Sequence, residues 1–228
     1  MLEAPLYNPL TAPLFSPTIS RDPDEGGVLA LGGIPDITHS PTFISILIRP
    51  VGINGSDGTL VYEFYTINID GFAYSRSAHE QFASSTAPPN SRKCPVTAPN
   101  TACIVDSGTT LLYAPDVVAA AVVGLFSPPG YFDTELQVHF VDCAAVPPTF
   151  GIMIDDKVFY VNALDMRLQI APGQCISGVQ PSFGGYVILG DVFMKNVLAV
   201  FDLGSQNLRF AARTKYALSS GSVAPVGR

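Results

Sequence analysis

The sequence has few charged residues and no cluster of basic ones. Asp, Glu, Lys and Arg make up 14% of the 228 residues, and the formal net charge at pH 7 is -7. A nucleic-acid-binding surface needs grouped Lys and Arg side chains facing the phosphates, so this composition predicts no nucleic-acid partner. The longest apolar stretch, residues 117–126, contains a glycine and is far shorter than the ~20 residues that cross a bilayer. It predicts a buried helix and no membrane span.

The sequence also lacks closely spaced metal ligands. It has three histidines and four cysteines, and no two cysteines form a Cys-x-x-Cys pair. A zinc site is therefore not expected, and no metal or organic cofactor is predicted. An even number of widely spaced cysteines indicates disulfides and hence an oxidising compartment. The cysteines are Cys94, Cys103, Cys143 and Cys175.

Two features bear on export and point in different directions. Asn54-Gly55-Ser56 is an N-glycosylation sequon, a motif of surface loops in secreted proteins. The first residues have neither the basic region nor the apolar region of a signal peptide. A chain that lacks its own beginning would reconcile the two, so we expect a truncated N-terminus.

Short apolar runs separated by Gly, Pro, Asn and Asp predict a mostly antiparallel, all-β domain. In one run Leu136, Val138 and Phe140 are expected to share one face of a strand, with Gln137 and His139 on the other. The predicted strands are residues 28–31, 43–48, 60–69, 136–141, 152–154, 158–161, 168–170, 186–189, 197–201 and 208–211.

The remaining segments divide the chain. Residues 1–27 are rich in Pro, Ser, Thr and Asp and predict an irregular arm or linker; residues 28–214 form the domain, with a surface loop at 84–100; residues 215–228 predict a flexible tail. Helices are few. Pro115 predicts the first residue of a helix that runs to about Phe126, and a second, short helix is expected over residues 191–196.

One stretch carries recognisable chemistry. In residues 104–112 (IVDSGTTLL) an apolar strand delivers Asp106 to a Ser-Gly turn. A carboxylate at the end of a buried strand is costly unless it is hydrogen-bonded or held near another group. Gly108 removes the Cβ barrier to close approach, and Ser107 and Thr109 supply hydroxyl groups. Such surroundings are typical of an acid whose pKa is set by its environment.

This stretch resembles the second active-site motif of the pepsin-like aspartic peptidases, of fungal type. Residues 187–193 (VILGDVF) resemble the hydrophobic-hydrophobic-Gly segment that passes beside the aspartate loop in that family. Residues 200–202 and 208–211 match its closing strands, and residues 15–21 and 27–33 match the entry to its C-terminal lobe. The resemblance covers residues 14–212 and implies the C-terminal lobe of a bilobal fold.

The resemblance implies a specific set of roles. Asp106 is one of two aspartates that activate a water molecule, supported by Ser107, Gly108 and Thr109, while Thr110 and Ile188 line the substrate cleft. It implies a Cys143–Cys175 disulfide, and a Cys94–Cys103 disulfide is also expected, with two buried thiols as the alternative. The implied substrate is a peptide or protein, and the implied location is secreted or an acidic, vacuolar or lysosomal compartment.

The sequence departs from the family because it contains no first Asp-Thr/Ser-Gly motif. One carboxylate cannot be acid and base at once, so the chain alone is predicted to be weakly active or inactive. The missing carboxylate would come from an absent N-terminal lobe. Two alternatives remain open. A homodimer could bring two copies of Asp106 together, or the chain is a non-catalytic lobe that binds peptide or protein.

Overall fold

We analysed a computed structural model of the chain, which describes residues 12–21, 26–76 and 101–213. The sequence predictions for residues 84–100, for Cys94 and for the tail at 215–228 lie outside these residues. The described part is β-rich with two short helices. The helices are α1 (Asp116–Gly124) and α2 (Asp191–Met194).

The strands, in chain order, are β1 (Leu14–Ile19), β2 (Gly27–Leu31), β3 (Ile44–Leu47), β4 (Gly52–Ile53), β5 (Leu60–Val61), β6 (Thr66–Ile69), β7 (Gly71–Ser75), β8 (Thr101–Val105), β9 (Leu112–Ala114), β10 (Tyr131–Asp133), β11 (Val138–Val141), β12 (Thr149–Ile154), β13 (Lys157–Val161), β14 (Arg167–Ala171), β15 (Gln174–Ser177), β16 (Val179–Pro181), β17 (Val187–Leu189), β18 (Val197–Asp202) and β19 (Asn207–Ala212). The all-β prediction, with one or two short helices, is confirmed.

Two five-stranded sheets organise the molecule. One has the order β2-β1-β18-β19-β3, and the other has the order β16-β9-β17-β8-β6. In the second sheet β17 lies between β8, to which it is parallel, and β9, to which it is antiparallel. The chain segment between β8 and β9 therefore forms a wide loop around the end of β17, and this loop contains Asp106.

Strand β1 differs from the prediction of an irregular arm over residues 1–27. Leu14 and Phe15 pair with β18, and all five residues from Phe15 to Ile19 pair with β2. Pro17 lies beyond the two residues paired with β18, so its missing N–H interrupts no bond of that ladder. The Ser16 hydroxyl is buried and donates to the Ala199 carbonyl at 2.6 Å. The polar composition of this segment predicted an arm, because composition alone does not reveal that the segment pairs with β2 and β18.

Strand β11 corrects the predicted orientation of its side chains. Leu136 lies outside the strand and is 64% exposed, whereas His139 and Val141 are buried. The Gln180 side chain accepts from the His139 N–H at 2.8 Å and donates to the His139 carbonyl at 3.2 Å. The side-chain amide of Gln180 hydrogen-bonds the β11 backbone from the interior of the fold, so the face of β11 that carries His139 is the buried face. Burial lowers the pKa of His139, and nearby Asp116 opposes that shift.

The remaining boundaries follow the predictions with small shifts. The run at 60–69 is two strands, β5 and β6, separated by residues 62–65. Helix α1 begins one residue after Pro115, which serves as its N-cap residue, and ends at Gly124. Its inner face is apolar, with Val118, Ala119 and Val122 almost fully buried. These side chains join the main core, which includes Leu112 and Leu189. The core therefore holds the strands that carry the Asp106 loop.

Candidate active site

Asp106 lies at the end of a buried strand. Cys103, Ile104 and Val105 of β8 are all buried, and Asp106 follows them as a partly buried residue. Its backbone N–H donates to the Leu189 carbonyl of β17 at 3.2 Å. The Val105 N–H donates to the Tyr65 carbonyl at 3.0 Å. Strand pairing on both sides therefore fixes the backbone from which the carboxylate projects.

The carboxylate of Asp106 is hydrogen-bonded within its own loop. The Gly108 N–H donates to Oδ1 at 2.9 Å, and the Thr109 hydroxyl donates to Oδ2 at 2.6 Å. Both bonds have a charged acceptor when Asp106 is ionised, and such bonds are stronger than neutral ones. A Cβ atom at position 108 would stand 3.2 Å from Oδ1, a tight contact that glycine avoids. The expected support from Gly108 and Thr109 thus has a geometric basis.

The other side of the loop is held by α2. The Asp191 N–H donates to the Thr109 carbonyl at 2.8 Å, and the Val192 N–H donates to the Thr110 carbonyl at 3.2 Å. Gly190 allows this approach, because a Cβ there would lie 2.1 Å from the Thr109 oxygen. Those backbone atoms cannot move aside without breaking the bonds that they accept. The glycine of the 187–193 segment is therefore required by the loop.

The structure brings Ser107 and Thr110 to the exposed surface of the same loop. No described residue forms a hydrogen bond with either hydroxyl, so both are available to a partner or a substrate. Ile188 is partly buried in β17, opposite Ile104 and Tyr113. It directly precedes Leu189, whose carbonyl accepts the hydrogen bond from the Asp106 N–H.

Asp191 is a functional candidate that the sequence reasoning left without a role. Its Oδ1 is buried and has no hydrogen-bond partner among the described residues. Burial raises the pKa of the Asp191 carboxyl; Lys195 opposes this shift and the negative charge of Asp106 adds to it. The only signal in the sequence was an acidic residue directly after Gly190, which by itself fits an ordinary first helical turn.

A buried polar network supports α2 from the opposite side. The Arg21 guanidinium binds both carboxylate oxygens of Asp165, with Nε at 2.8 Å from Oδ1, and its Nη2 donates to Asn196 Oδ1 at 2.7 Å. The Asn196 amide in turn donates to Asp165 at 2.8 Å and to the Val192 carbonyl at 2.9 Å. The network therefore connects the end of β1 to the helix that holds the Asp106 loop.

The described cysteines confirm the predicted Cys143–Cys175 disulfide. Cys143 and Cys175 are bonded, and their Cα atoms are 5.2 Å apart. Cys103 is a free thiol that is 1% exposed, and its predicted partner Cys94 lies outside the described residues, so that pairing stays a prediction. Its side chain belongs to the hydrophobic core beneath the Asp106 loop, and burial raises the pKa of the thiol. The sequence pattern could not show that position 103 faces inward.

Within residues 12–21, 26–76 and 101–213, no group of three His, Cys, Asp or Glu side chains converges as metal ligands would. None of the helices in these same ranges is a long enough apolar segment to cross a membrane.

Comparison with known families identifies the fold. A family profile for eukaryotic aspartyl proteases matches residues 7–213. This chain belongs to the eukaryotic aspartyl protease family. The aspartyl protease motifs at Asp106 and Gly190 lie within the match, so the predicted family is confirmed.

Individual relatives give the same assignment to this aspartyl protease chain. A probable aspartic-type endopeptidase of Aspergillus fumigatus is 35% identical, over 91% of this chain and 48% of its own length. Aspartic protease 6 of Caenorhabditis elegans is 34% identical, over 47% of this chain and 28% of its own length. Penicillopepsin-1 of Talaromyces stipitatus is 32% identical, over 48% and 28% respectively. The chain thus spans about half the length of the first relative, and the matches to the others cover less.

Proposed function

We propose that this chain is one half of an acid endopeptidase and supplies Asp106 as one of its two catalytic aspartates. The observation that carries the proposal is the hydrogen-bonded carboxylate at the end of β8. Gly108 and Thr109 fix its two oxygens, and α2 fixes the loop that contains them. Catalytic carboxylates need this kind of support because their orientation must survive the arrival of substrate.

The reaction that such a pair performs is peptide hydrolysis. The ionised carboxylate takes a proton from water, and the resulting oxygen attacks the carbonyl carbon, while the protonated carboxyl group donates its proton to the carbonyl oxygen. The C–N bond then breaks and the leaving amine takes up a proton. A pair that shares one proton can hold both states at acid pH. Asp106 alone supplies only one of them.

Asp191 does not replace the missing partner. The two carboxyl groups of Asp106 and Asp191 share no hydrogen bond, and the Asp191 backbone is tied to the Thr109 carbonyl. A proton-sharing pair requires direct contact between the carboxyls. Since the sequence has no second Asp-Thr/Ser-Gly motif, we infer that the second carboxylate comes from another lobe.

Strand β2 offers a surface for that lobe. It is the edge of its sheet, and Val28, Leu29 and Leu31 are 53%, 61% and 60% exposed. An apolar edge strand with unpaired backbone groups is unfavourable in water and is normally covered. The lobe that covers it would carry the first Asp-Thr/Ser-Gly loop. An extended peptide would then lie between the lobes, with Thr110 and Ile188 on this side of the cleft.

The test is peptide cleavage at acid pH, with the oligomeric state measured in the same samples. The isolated chain is expected to be monomeric and to cleave an unstructured protein substrate at or near the background rate. Addition of the N-terminal half of the Aspergillus fumigatus relative is expected to produce cleavage. Asp106→Asn should abolish that cleavage, whereas Glu135→Gln, which removes an exposed carboxylate elsewhere, should leave it unchanged.

Other outcomes would replace the proposal. Cleavage by a strict monomer would contradict it, because one aspartate would then suffice. Cleavage activity that rises with the fraction of dimer, as measured by sedimentation, would favour an active site formed by Asp106 residues from two copies of the chain. A monomer that binds peptide, with no cleavage in any combination, would favour a non-catalytic lobe.

We also propose that the chain works in an oxidising, acidic compartment, either secreted or vacuolar. The Cys143–Cys175 disulfide supports this location, since such bonds persist outside reducing compartments. Fractionation of the source cells tests it directly. Recovery of the chain only in the cytosol, with Cys143 and Cys175 reduced, would contradict it.

A further inference from the structure

The sequon lies at the tip of a small hairpin. Strands β4 and β5 pair only with each other, through Gly52 with Val61 and Ile53 with Leu60. The Asn54 N–H donates to the Thr59 carbonyl at 2.8 Å, and the Gly58 N–H donates to the Asn54 carbonyl at 2.9 Å. All residues from 53 to 60 are exposed. Asn54 is therefore held in a defined turn that an enzyme can reach.

The side chain of Asn54 is arranged with its nitrogen free. Its Oδ1 accepts hydrogen bonds from the Ser56 N–H at 3.1 Å and from the Ser56 hydroxyl at 2.8 Å. Its Nδ2 donates no hydrogen bond to any residue in the described ranges. The two polar groups that define the sequon, an asparagine amide and a hydroxyl two residues later, are thus already in contact. The nitrogen that would react remains accessible.

We propose that Asn54 is an N-glycosylation site of this protein. A lipid diphosphate-linked oligosaccharide is the donor class: its sugar–phosphate bond breaks, the lipid diphosphate leaves, and Nδ2 forms a bond to the anomeric carbon of the sugar. One Nδ2 proton is lost to a base of the transferase. The proposal rests on the secretory location proposed above, where the disulfide and the glycan would both be acquired.

The surface around Asn54 gives the glycan a physical role. Ile53 and Leu60 face each other across the hairpin and are 69% and 53% exposed. Exposed apolar pairs on a two-stranded ribbon favour association with other chains. A bulky, hydrated oligosaccharide on the adjacent residue would screen this pair from such contacts.

The experiment uses the full chain behind a cleavable secretion leader in yeast. Asn54-Gly55-Ser56 is the single Asn-x-Ser/Thr triplet in the sequence, so a glycan can be assigned without ambiguity. The wild-type chain is expected to gain the mass of one oligosaccharide, which peptide N-glycosidase F removes while converting Asn54 to Asp. Asn54→Gln and Ser56→Ala should lose the mass shift, whereas the matched variant Ser56→Thr should retain it.

Wild-type chain that carries the Cys143–Cys175 disulfide but no glycan would overturn the proposal. A mass shift that persists in both Asn54→Gln and Ser56→Ala would also overturn it, because the sugar would then be elsewhere. Thermal unfolding of the deglycosylated wild type and of the two variants should coincide, which shows that loss of the shift does not reflect misfolding. The supplied leader makes the result independent of the native location, which cell fractionation tests separately.

Discussion

The carboxyl groups of Asp106 and Asp191 differ in their hydrogen bonding. Asp106 accepts hydrogen bonds from Gly108 and Thr109. Asp191 has a buried oxygen without a hydrogen bond in the described part of the chain, and the charge on Asp106 acts against its ionisation. Burial and the negative charge of Asp106 therefore both disfavour the ionised form of Asp191.

The environment of Asp191 predicts that its ionisation lowers the free energy of unfolding. Because the folded-state pKa of Asp191 is raised above 3.8, the folded protein binds this proton more tightly than the unfolded chain does. The free energy of unfolding therefore falls as pH rises through 3.8 towards the folded pKa, and the loss persists at higher pH. Asp191→Asn should remove this decline. We expect an effect of under about 1 kcal/mol, because the residue is only half-buried.

Denaturant unfolding at a series of pH values measures the effect. The difference in free energy of unfolding between wild type and Asp191→Asn should grow as the pH is raised above 3.8, in favour of the variant. Glu135→Gln, which removes an exposed charge, should show no such trend. Parallel pH profiles for wild type and Asp191→Asn would contradict the prediction.

At the residue scale, the sequence was informative where the chemistry is local. Asp106, Gly108 and Thr109 lie within four positions, so their contacts could be predicted from the motif. The surroundings of Asp191 and Cys103 could not be predicted, because they come from segments far along the chain. A carboxyl after a glycine and a cysteine before an aspartate have no distinctive local pattern.

At the scale of secondary-structure elements, α2 is held between two sets of bonds. Its first residues bind the Asp106 loop, and Asn196 just after it binds the Arg21–Asp165 pair. The Asp165 and Arg21 side chains are only 5% and 9% exposed. This pair ties the end of β1 to the helix, so its loss should affect both the sheet and the loop.

Asp165→Asn is expected to lower the free energy of unfolding by about 3–5 kcal/mol, because it leaves the buried guanidinium beside a neutral amide. Arg21→Lys should also destabilise, since an ammonium group cannot form the same two-pronged contact. Chemical denaturation of both variants measures these losses.

A double-mutant cycle provides the control. The combined variant Arg21→Met with Asp165→Leu should cost less than the sum of the single changes Arg21→Met and Asp165→Leu, because each single change already removes the same ion pair. Additive losses would show that the pair is not coupled and would contradict this account of the network.

Hydrophobic alternation predicted most strands but not always their inner face. In β11 the apolar residues predicted one orientation, and the contacts of Gln180 with the His139 backbone produce the other. Gln180 is 41 residues away, so no local pattern in β11 could reveal it. In β1 the composition hid a strand whose partners, β2 and β18, were themselves predicted correctly.

For the molecule as a whole, the Cys143–Cys175 disulfide closes a loop of 32 residues. It joins Cys143, which follows β11, to Cys175 in β15, and β11 and β15 are neighbouring strands of one four-stranded sheet. Closure of a loop of this length lowers the conformational entropy of the unfolded chain, which stabilises the folded state by about 3–4 kcal/mol. Replacement of both cysteines by alanine should lower the free energy of unfolding by a comparable amount.

The measurement compares the double-alanine variant with the wild type under non-reducing conditions. Treatment with a thiol reductant should bring the wild type close to the variant and leave the variant unchanged. Cys103→Ala serves as a second control that separates loss of a buried thiol from loss of the bond. Equal stability of wild type and variant in the absence of reductant would contradict the prediction.

The position of β17 in the sequence also affects when the Asp106 loop can fold during synthesis. A ribosome delivers residues 187–189 long after residues 101–114, yet the aspartate loop depends on Leu189 as acceptor and on the following helix as donor. Because pairings between distant segments form late, we expect the Asp106 loop to reach its final geometry only after β17 and α2 have been synthesised. A translation product that stopped before β17 would contain Asp106 but would lack the backbone acceptor and donors that hold its loop.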